Sequence, residues 1–147
     1  DILSGTDPES TSGDVNVFHA SYGTNHKFYG YMDYFINIPN NTYNLGLNDV
    51  YASANFSPDG SKFNFDAALH LFMSNQSINI ITPENPEGKD ENMFGQELDL
   101  TIKYAFTKNT NLVWGGSLFF HGDLMKFIYD PREDTAYWTY LMITASL

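Results

Sequence analysis

A chain of 147 residues is one domain's worth of material, and 42% hydrophobic with 16% aromatic content is too much for a disordered segment, even at a net charge of −11. Seven Lys and Arg against eighteen Asp and Glu leave no phosphate-binding footprint, so nucleic acid is not an expected partner. The lack of Cys excludes disulfides, thiolate metal sites and a cysteine nucleophile. No apolar run reaches the ~18 residues of a membrane helix, which leaves open a membrane β-barrel, whose strands alternate.

The chain begins at Asp1 and not at Met, and reads as a processed product or a piece of a longer one. Residues 2–5 read as the end of a preceding strand. Residues 5–13 are a Ser/Thr/Asp/Gly loop, and 14–21 alternate weakly, as a short strand would. Residues 26–36 are aromatic throughout with a period of neither 2 nor 3.6, and read as a packed loop or short helix. Residues 1–45 are thus mostly loop, and five long antiparallel strands are expected over 46–147.

The period becomes two from there on. Over 46–57, Val50, Ala52, Ala54 and Phe56 oppose Asp49, Tyr51, Ser53 and Asn55. Over 62–74, Phe63, Phe65, Ala67, Leu69, Leu71 and Met73 oppose Asn64, Asp66, Ala68, His70, Phe72 and Ser74. Over 96–106, Leu98, Leu100, Ile102 and Tyr104 oppose Glu97, Asp99, Thr101 and Lys103. A helix would spread Glu97, Asp99 and Lys103 around its whole cylinder, so strands are the consistent reading. Weaker alternation covers 111–122 and 137–147. Runs of this length are about twice the soluble mode and match tilted membrane strands.

Short turns at 57–61 (Pro58, Gly60) and 108–111 alternate with long connections at 75–95 and 121–135, the asymmetry of outer-membrane barrels. Aromatic residues gather near the short turns (Phe56, Phe63, Phe65, Tyr104, Phe106, Trp114) and at the opposite ends (Phe120 and Tyr137, with Trp138 and Tyr140 facing the other way). Rings at two levels form a girdle pattern. The same rings would serve as the core of a soluble β-sandwich, so a soluble or surface-attached domain for adhesion or assembly, without a pore, stays open.

Signals for chemistry are sparse. His19, His26, His70 and His121 show no metal-binding spacing, and no nucleophile elbow, Walker loop or dinucleotide fingerprint occurs. Glu97 and Asp99 lie ~7 Å apart at Cα along one strand, and read as charges on a wetted wall rather than as a glycosidase pair. No enzyme is expected. The acidic stretches 5–14 and 84–92 offer hard oxygen donors that suit Ca²⁺, though neither has EF-hand spacing; otherwise no cofactor is implied.

The stretches GTNHKFYGYMDYF (23–35), GLNDVY (46–51) and GQELDLTIKY (95–104), with Gly115, the pair Gly122-Asp123 and the tail AYWTYLMITASL (136–147), resemble alginate-export-type outer-membrane barrels over nearly the whole chain. The resemblance implies the C-terminal segment of an antiparallel up-and-down transmembrane β-barrel of about eighteen strands. Residues 6–44 would be one extracellular loop, and 46–57, 62–74, 96–107, 111–120 and 136–147 the last five strands. The implied role is a channel passing a hydrophilic solute or polysaccharide across the outer membrane of a Gram-negative bacterium. Its partners would be outer-membrane lipid, the solute, and strands supplied by the rest of the precursor or by another chain. The pore-lining candidates are Asn64, Asp66, His70, Glu97, Asp99, Thr101 and Lys103. Exporters of the family line their pores with basic residues. The acids here predict a wall that favours cations.

Overall fold

Alternating apolar and polar residues can satisfy a sheet with two unlike environments, and from residue 47 the chain builds one. The computed structural model describes residues 1–20, 28–83 and 85–146. Six strands, β1 (Ile2–Leu3), β2 (Leu47–Phe56), β3 (Phe63–Thr82), β4 (Asn85–Ala105), β5 (Thr110–His121) and β6 (Thr135–Ala145), lie side by side in sequence order, each antiparallel to the next. Helices α1 (Ile38–Asn41) and α2 (Asp123–Tyr129) sit in the connections. β1 and β6 are the two edges of the sheet.

Both short connections lie at one end. Pro58 and Gly60, the latter at φ +70°, close the first with a Ser61 N–H to Pro58 carbonyl bond of 3.0 Å. The Thr110 carbonyl accepts from Phe106 and Thr107 at the second. The long connections from β1 to β2 and β5 to β6, and the tight turn of the extended β3–β4 hairpin, lie at the opposite end.

Register places Asn55, Asp66, Thr101, Gly115 and Tyr140 in one cross-strand row, and Ala54, Ala67, Leu100, Gly116 and Thr139 in the next, facing the other way. The face holding Val50, Phe56, Phe65, Leu69, Leu100, Trp114, Leu141 and Ile143 is exposed, and within the strand stretches 50–56, 63–73, 98–104, 112–120 and 137–145 it carries no Asp, Glu, Lys or Arg. The core lies on the other face, where residues 28–45 and α2 cover the sheet. Phe35, Ile38, Leu45, Leu124 and Met125 pack there against Leu47, Phe72, Phe94 and Phe119. The sheet shows its apolar side and covers the part of its polar side around His70, Glu97 and Asp99.

Several local expectations are corrected. The connection expected over 75–95 is mostly strand: after a register shift at Phe72/Met73 the β3–β4 ladder resumes and runs to Thr82↔Asn85. At that shift Gly95 pairs with Phe72 while Met93 pairs with Met73, so Phe94 is the extra residue and its ring drops into the core. Residues 14–20 form no strand; the Phe18 amide instead donates to the Ser4 carbonyl. Residues 28–36 are turns and bends, and the helix comes just after, where Asn37 Oδ1 accepts from the Asn40 amide and Pro39 fits the first turn. The connection 121–135 holds α2, with Asp123 in its first turn and Leu124 and Met125 buried. The candidate His26 and the start of the 26–36 segment lie outside the described residues.

Gly115 shows how closely the covered face is filled. A Cβ there would meet the Tyr140 ring at 2.1 Å, whereas at Gly116, on the exposed face, the nearest atom is a Trp114 ring carbon at 3.3 Å. Gly115→Val should therefore cost about 1–3 kcal/mol by overpacking, and Gly116→Ala clearly less. Urea unfolding of the folded chain in detergent measures both.

Candidate functional site

The covered face divides into two levels. Next to the long connections it is apolar, and the ring of Phe35 lies 4.6 Å from that of Phe72, 5.3 Å from Phe94 and 6.5 Å from Phe119. Towards the short turns it becomes polar, and every pore-lining candidate stands on this one face. Asn64 and Asp66 are half-buried and share the Asn55 side-chain amide. Lys103 is exposed, and Thr101 is half-buried. His70, Glu97 and Asp99 are buried, at 5%, 0% and 2% exposure, because the 28–45 segment lies over them.

Each buried charge is held by a different device. His70 Nδ1 lies 3.0 and 3.1 Å from the two carboxylate oxygens of Asp49, and the Tyr51 ring packs at 4.8 Å on the imidazole. Ser117 Oγ donates to Asp99 Oδ1. Met32 N–H donates to Glu97 Oε1 at 2.8 Å. Glu97 also takes the Tyr31 amide and meets the Asp99 side chain, and Thr101 meets Tyr31.

The covering segment sets one tyrosine against each of the three carboxylates. Burial first, and then the neighbouring negative charge, pushes the phenol up for Tyr29 beside Asp49, Tyr31 near Asp99 and Tyr34 near Glu97. Gly30, at φ +76°, lets the backbone pass close over Glu97: a Cβ there would stand 2.5 Å from the carboxylate. Tyr34 Oη lies 3.3 Å from His121 Nε2, and His121 Nδ1 is 3.0 Å from the Glu133 carbonyl.

Alternation alone placed the seven candidates on one face. It missed the covering by Gly30, Tyr31, Met32 and Tyr34, because nothing local ties 28–34 to 97–101. It also missed Ser117, although Ser117 stands in the polar row of β5 where pairing with Asp99 could have been looked for. His19 is exposed, in the segment before β2. The acidic stretches 5–14 and 84–92 do meet: Asp7, Glu9 and Asp90 line one open cleft. Among the described residues no three His, Cys, Asp or Glu side chains are placed to hold a metal. No helix among them is long and apolar enough to cross a membrane.

The chain thus forms an all-β antiparallel sheet whose strands follow one another in sequence order, apolar on one face and polar on the other. A family model described as alginate export matches residues 4–135, and the chain belongs to that family. Comparisons with curated proteins and with solved structures gave no match.

Two predictions follow the covering segment. Gly30→Ala forces a Cβ onto Glu97 and holds Ala in a left-handed conformation, which costs about 1–2 kcal/mol by itself. Limited proteolysis within 28–45 should speed up while the β-sheet circular dichroism stays unchanged. The raised tyrosines predict alkaline sensitivity of the same segment. Their folded pKa values lie above the usual 10.0, so their contribution is fully present below pH 10 and falls as pH rises through the folded values. Protection of 28–45 should decline above pH 10, and ultraviolet titration should show phenols ionising late.

Proposed function

We propose that this chain is part of the wall of an outer-membrane channel that passes a hydrophilic solute or polysaccharide, in a Gram-negative bacterium. One observation carries the reading: from the short turns up to the β3–β4 register shift, the exposed face of the sheet is apolar and uncharged, while the polar residues face the other side. In water that arrangement would expose a continuous apolar surface far beyond scattered single residues; against lipid it is what burial requires. From Phe63 to Met73 the apolar row of β3 runs about 33 Å along the strand, or about 25 Å along the axis at the usual ~40° tilt, the height of the apolar band of such barrels. The girdle fits as well, with Phe63 and Tyr104 rings 4.8 Å apart and Phe56 and Phe65 6.4 Å apart at the short-turn end.

In this reading Asn64, Asp66, Thr101 and Lys103 line the open part of the lumen, and His70, Glu97 and Asp99 form the wall beneath the covering segment. The backbone groups on the free edge of β6 need a partner in hydrocarbon, where each unmet one costs several kcal/mol. Further strands, from the rest of the precursor or another chain, supply it. The role is transport and not catalysis, with Glu97 closed under the segment.

The two tryptophans test this directly, because they point to opposite faces: Trp114 pairs with Leu141 in the apolar row, Trp138 with Ser117 in the polar one. In liposomes, brominated lipid should quench Trp114 strongly in a Trp138→Phe chain, and should barely touch Trp138 in a Trp114→Phe chain. Equal quenching of both, or a monodisperse monomer in buffer without detergent, would overturn the reading in favour of a soluble or surface-attached domain.

A further inference from the structure

Where the covering segment meets the β5–β6 connection, the chain leaves an open cleft of about 620 Å³. That volume falls within the ~300–1,000 Å³ of small-ligand sites. The covering segment lines it with Asp33 and Tyr34, α2 with Tyr129, and the connection with Arg132 and Glu133. Asn41 and His121 also border it, and none of the seven pore-lining candidates does. Its walls are fixed by their own contacts. A carbonyl only accepts, so His121 Nδ1 donates to that of Glu133 at 3.0 Å, and Nε2 accepts the Tyr34 hydroxyl at 3.3 Å. This relay ties the connection to the covering segment. Tyr34 also packs its ring on Phe119, with centroids 4.3 Å apart. Tyr129 donates its hydroxyl to the Asn41 carbonyl at 3.0 Å and meets the Tyr43 ring in a T-shaped contact at 5.7 Å. Rings held this way lose little freedom when a ligand arrives.

The polar groups around these rings keep hydrogen-bonding capacity. Asn41 Oδ1 takes the Asn37 amide at 2.7 Å, and its side-chain N–H donors remain. Arg132 is exposed, and the side-chain ion pairs among the described residues, His70–Asp49, Lys89–Glu91 and Lys126–Asp134, do not include it. Asp33 and Glu133 set two acids against this one guanidinium, so the cleft is far closer to charge balance than the chain at −11. That combination selects a ligand class. An apolar molecule would strip water from the polar groups and return no hydrogen bonds. A polyanion would meet more negative charge than positive. A pyranose has a C–H face that packs on an aromatic ring and a rim of hydroxyls that both donate and accept. Carboxylates, an amide and a guanidinium meet such a rim together.

We propose that this cleft binds an uncharged saccharide, its sugar rings lying against Tyr129 and Tyr34 and its hydroxyls bonded by Asp33, Asn41, Arg132 and Glu133. The inference deepens the channel reading by naming a class of solute met at the end with the long connections. It rests on that reading for this role alone, since the cleft and its chemistry stand without conduction.

Isothermal titration calorimetry tests it on the full chain, folded in a detergent without a sugar headgroup. Maltotetraose, cellotetraose, mannotetraose and tetra-N-acetylchitotetraose are the neutral probes, and tetragalacturonate is the charged comparison. Saturable binding of at least one neutral probe is expected, with tetragalacturonate weaker. Tyr129→Ala and Arg132→Ala should each weaken that binding on the order of tenfold, as truncating an aromatic or Arg anchor does. Phe127→Ala, on α2 but outside the cleft, and Lys103→Ala, towards the short turns, should leave it unchanged. Arg132 is exposed, so its variant reports even if Tyr129→Ala fails to fold. No binding of any neutral probe, binding that Arg132→Ala leaves intact, or tighter binding of tetragalacturonate overturns the site. The lipid-quenching contrast between Trp114 and Trp138 keeps the two ideas apart. A chain that shows the contrast and binds no probe loses the cleft alone, and one that lacks it but binds through Arg132 loses the channel alone.

Discussion

Phe35 stands among Phe72, Phe94 and Phe119, and this contact decides which side of the sheet the long segment before β2 must take. Burying one such ring is worth about 1.5–3 kcal/mol, and here it recruits Ile38, Leu45, Leu124 and Met125 into the same cluster. The consequence reaches beyond the core. With Phe35 in place, residues 29–34 are drawn along the face just below, and their backbone and phenol groups arrive over Asp49, Glu97 and Asp99. An apolar wedge thus delivers the hydrogen-bond donors of the polar level. The polar contacts alone could not anchor the segment. Each is worth about 1 kcal/mol net, and each must first beat the entropy of ordering the chain.

That dependence explains why three carboxylates tolerate burial on one face without three cations. Asp49 has His70, Glu97 has the Met32 amide and Asp99 has the Ser117 hydroxyl. Glu97 and Asp99 also meet each other side chain to side chain. A soluble domain gains nothing by keeping such groups in its interior, and apolar residues there would pack at lower cost. On the proposed channel wall, which has to attract water and polar solutes, such groups have a use. The rule that the interior is apolar holds here only where the wedge sits.

The parts of this architecture written in the sequence are those with local periodicity. In β3 and β4 the alternation is nearly unbroken from 63 to 73 and from 97 to 104, so the faces of both strands could be assigned residue by residue, and the seven candidates with them. What could not be read has specific physical causes. Pro83, Pro86, Gly88 and several acids made 75–95 look like a loop, yet a hairpin end tolerates Pro where no ladder bond is needed. The Phe94 bulge inverts the alternation within a single residue, so Phe94 joins the core although its parity points outward. The fold of 28–45 depends on partners about 65 residues away, as the Met32 to Glu97 bond shows, and no local pattern reports a contact of that range.

In the proposed channel, the placement of the two levels bears on how the lumen selects. The apolar cluster itself holds no charged side chain, whereas the level below it places Asp66, Asp99 and Thr101 beneath Tyr31. In that proposed lumen, field lines from charges on the wall would be confined by the low dielectric of sheet and lipid, so two acids would act at longer range than on an open surface. Lys103, one strand step nearer the short turns, opposes them, and its exposure leaves it screened by water and salt. Of these charges the deeper ones dominate. Asp99 keeps its influence because the segment that Phe35 anchors excludes the water that would otherwise weaken it.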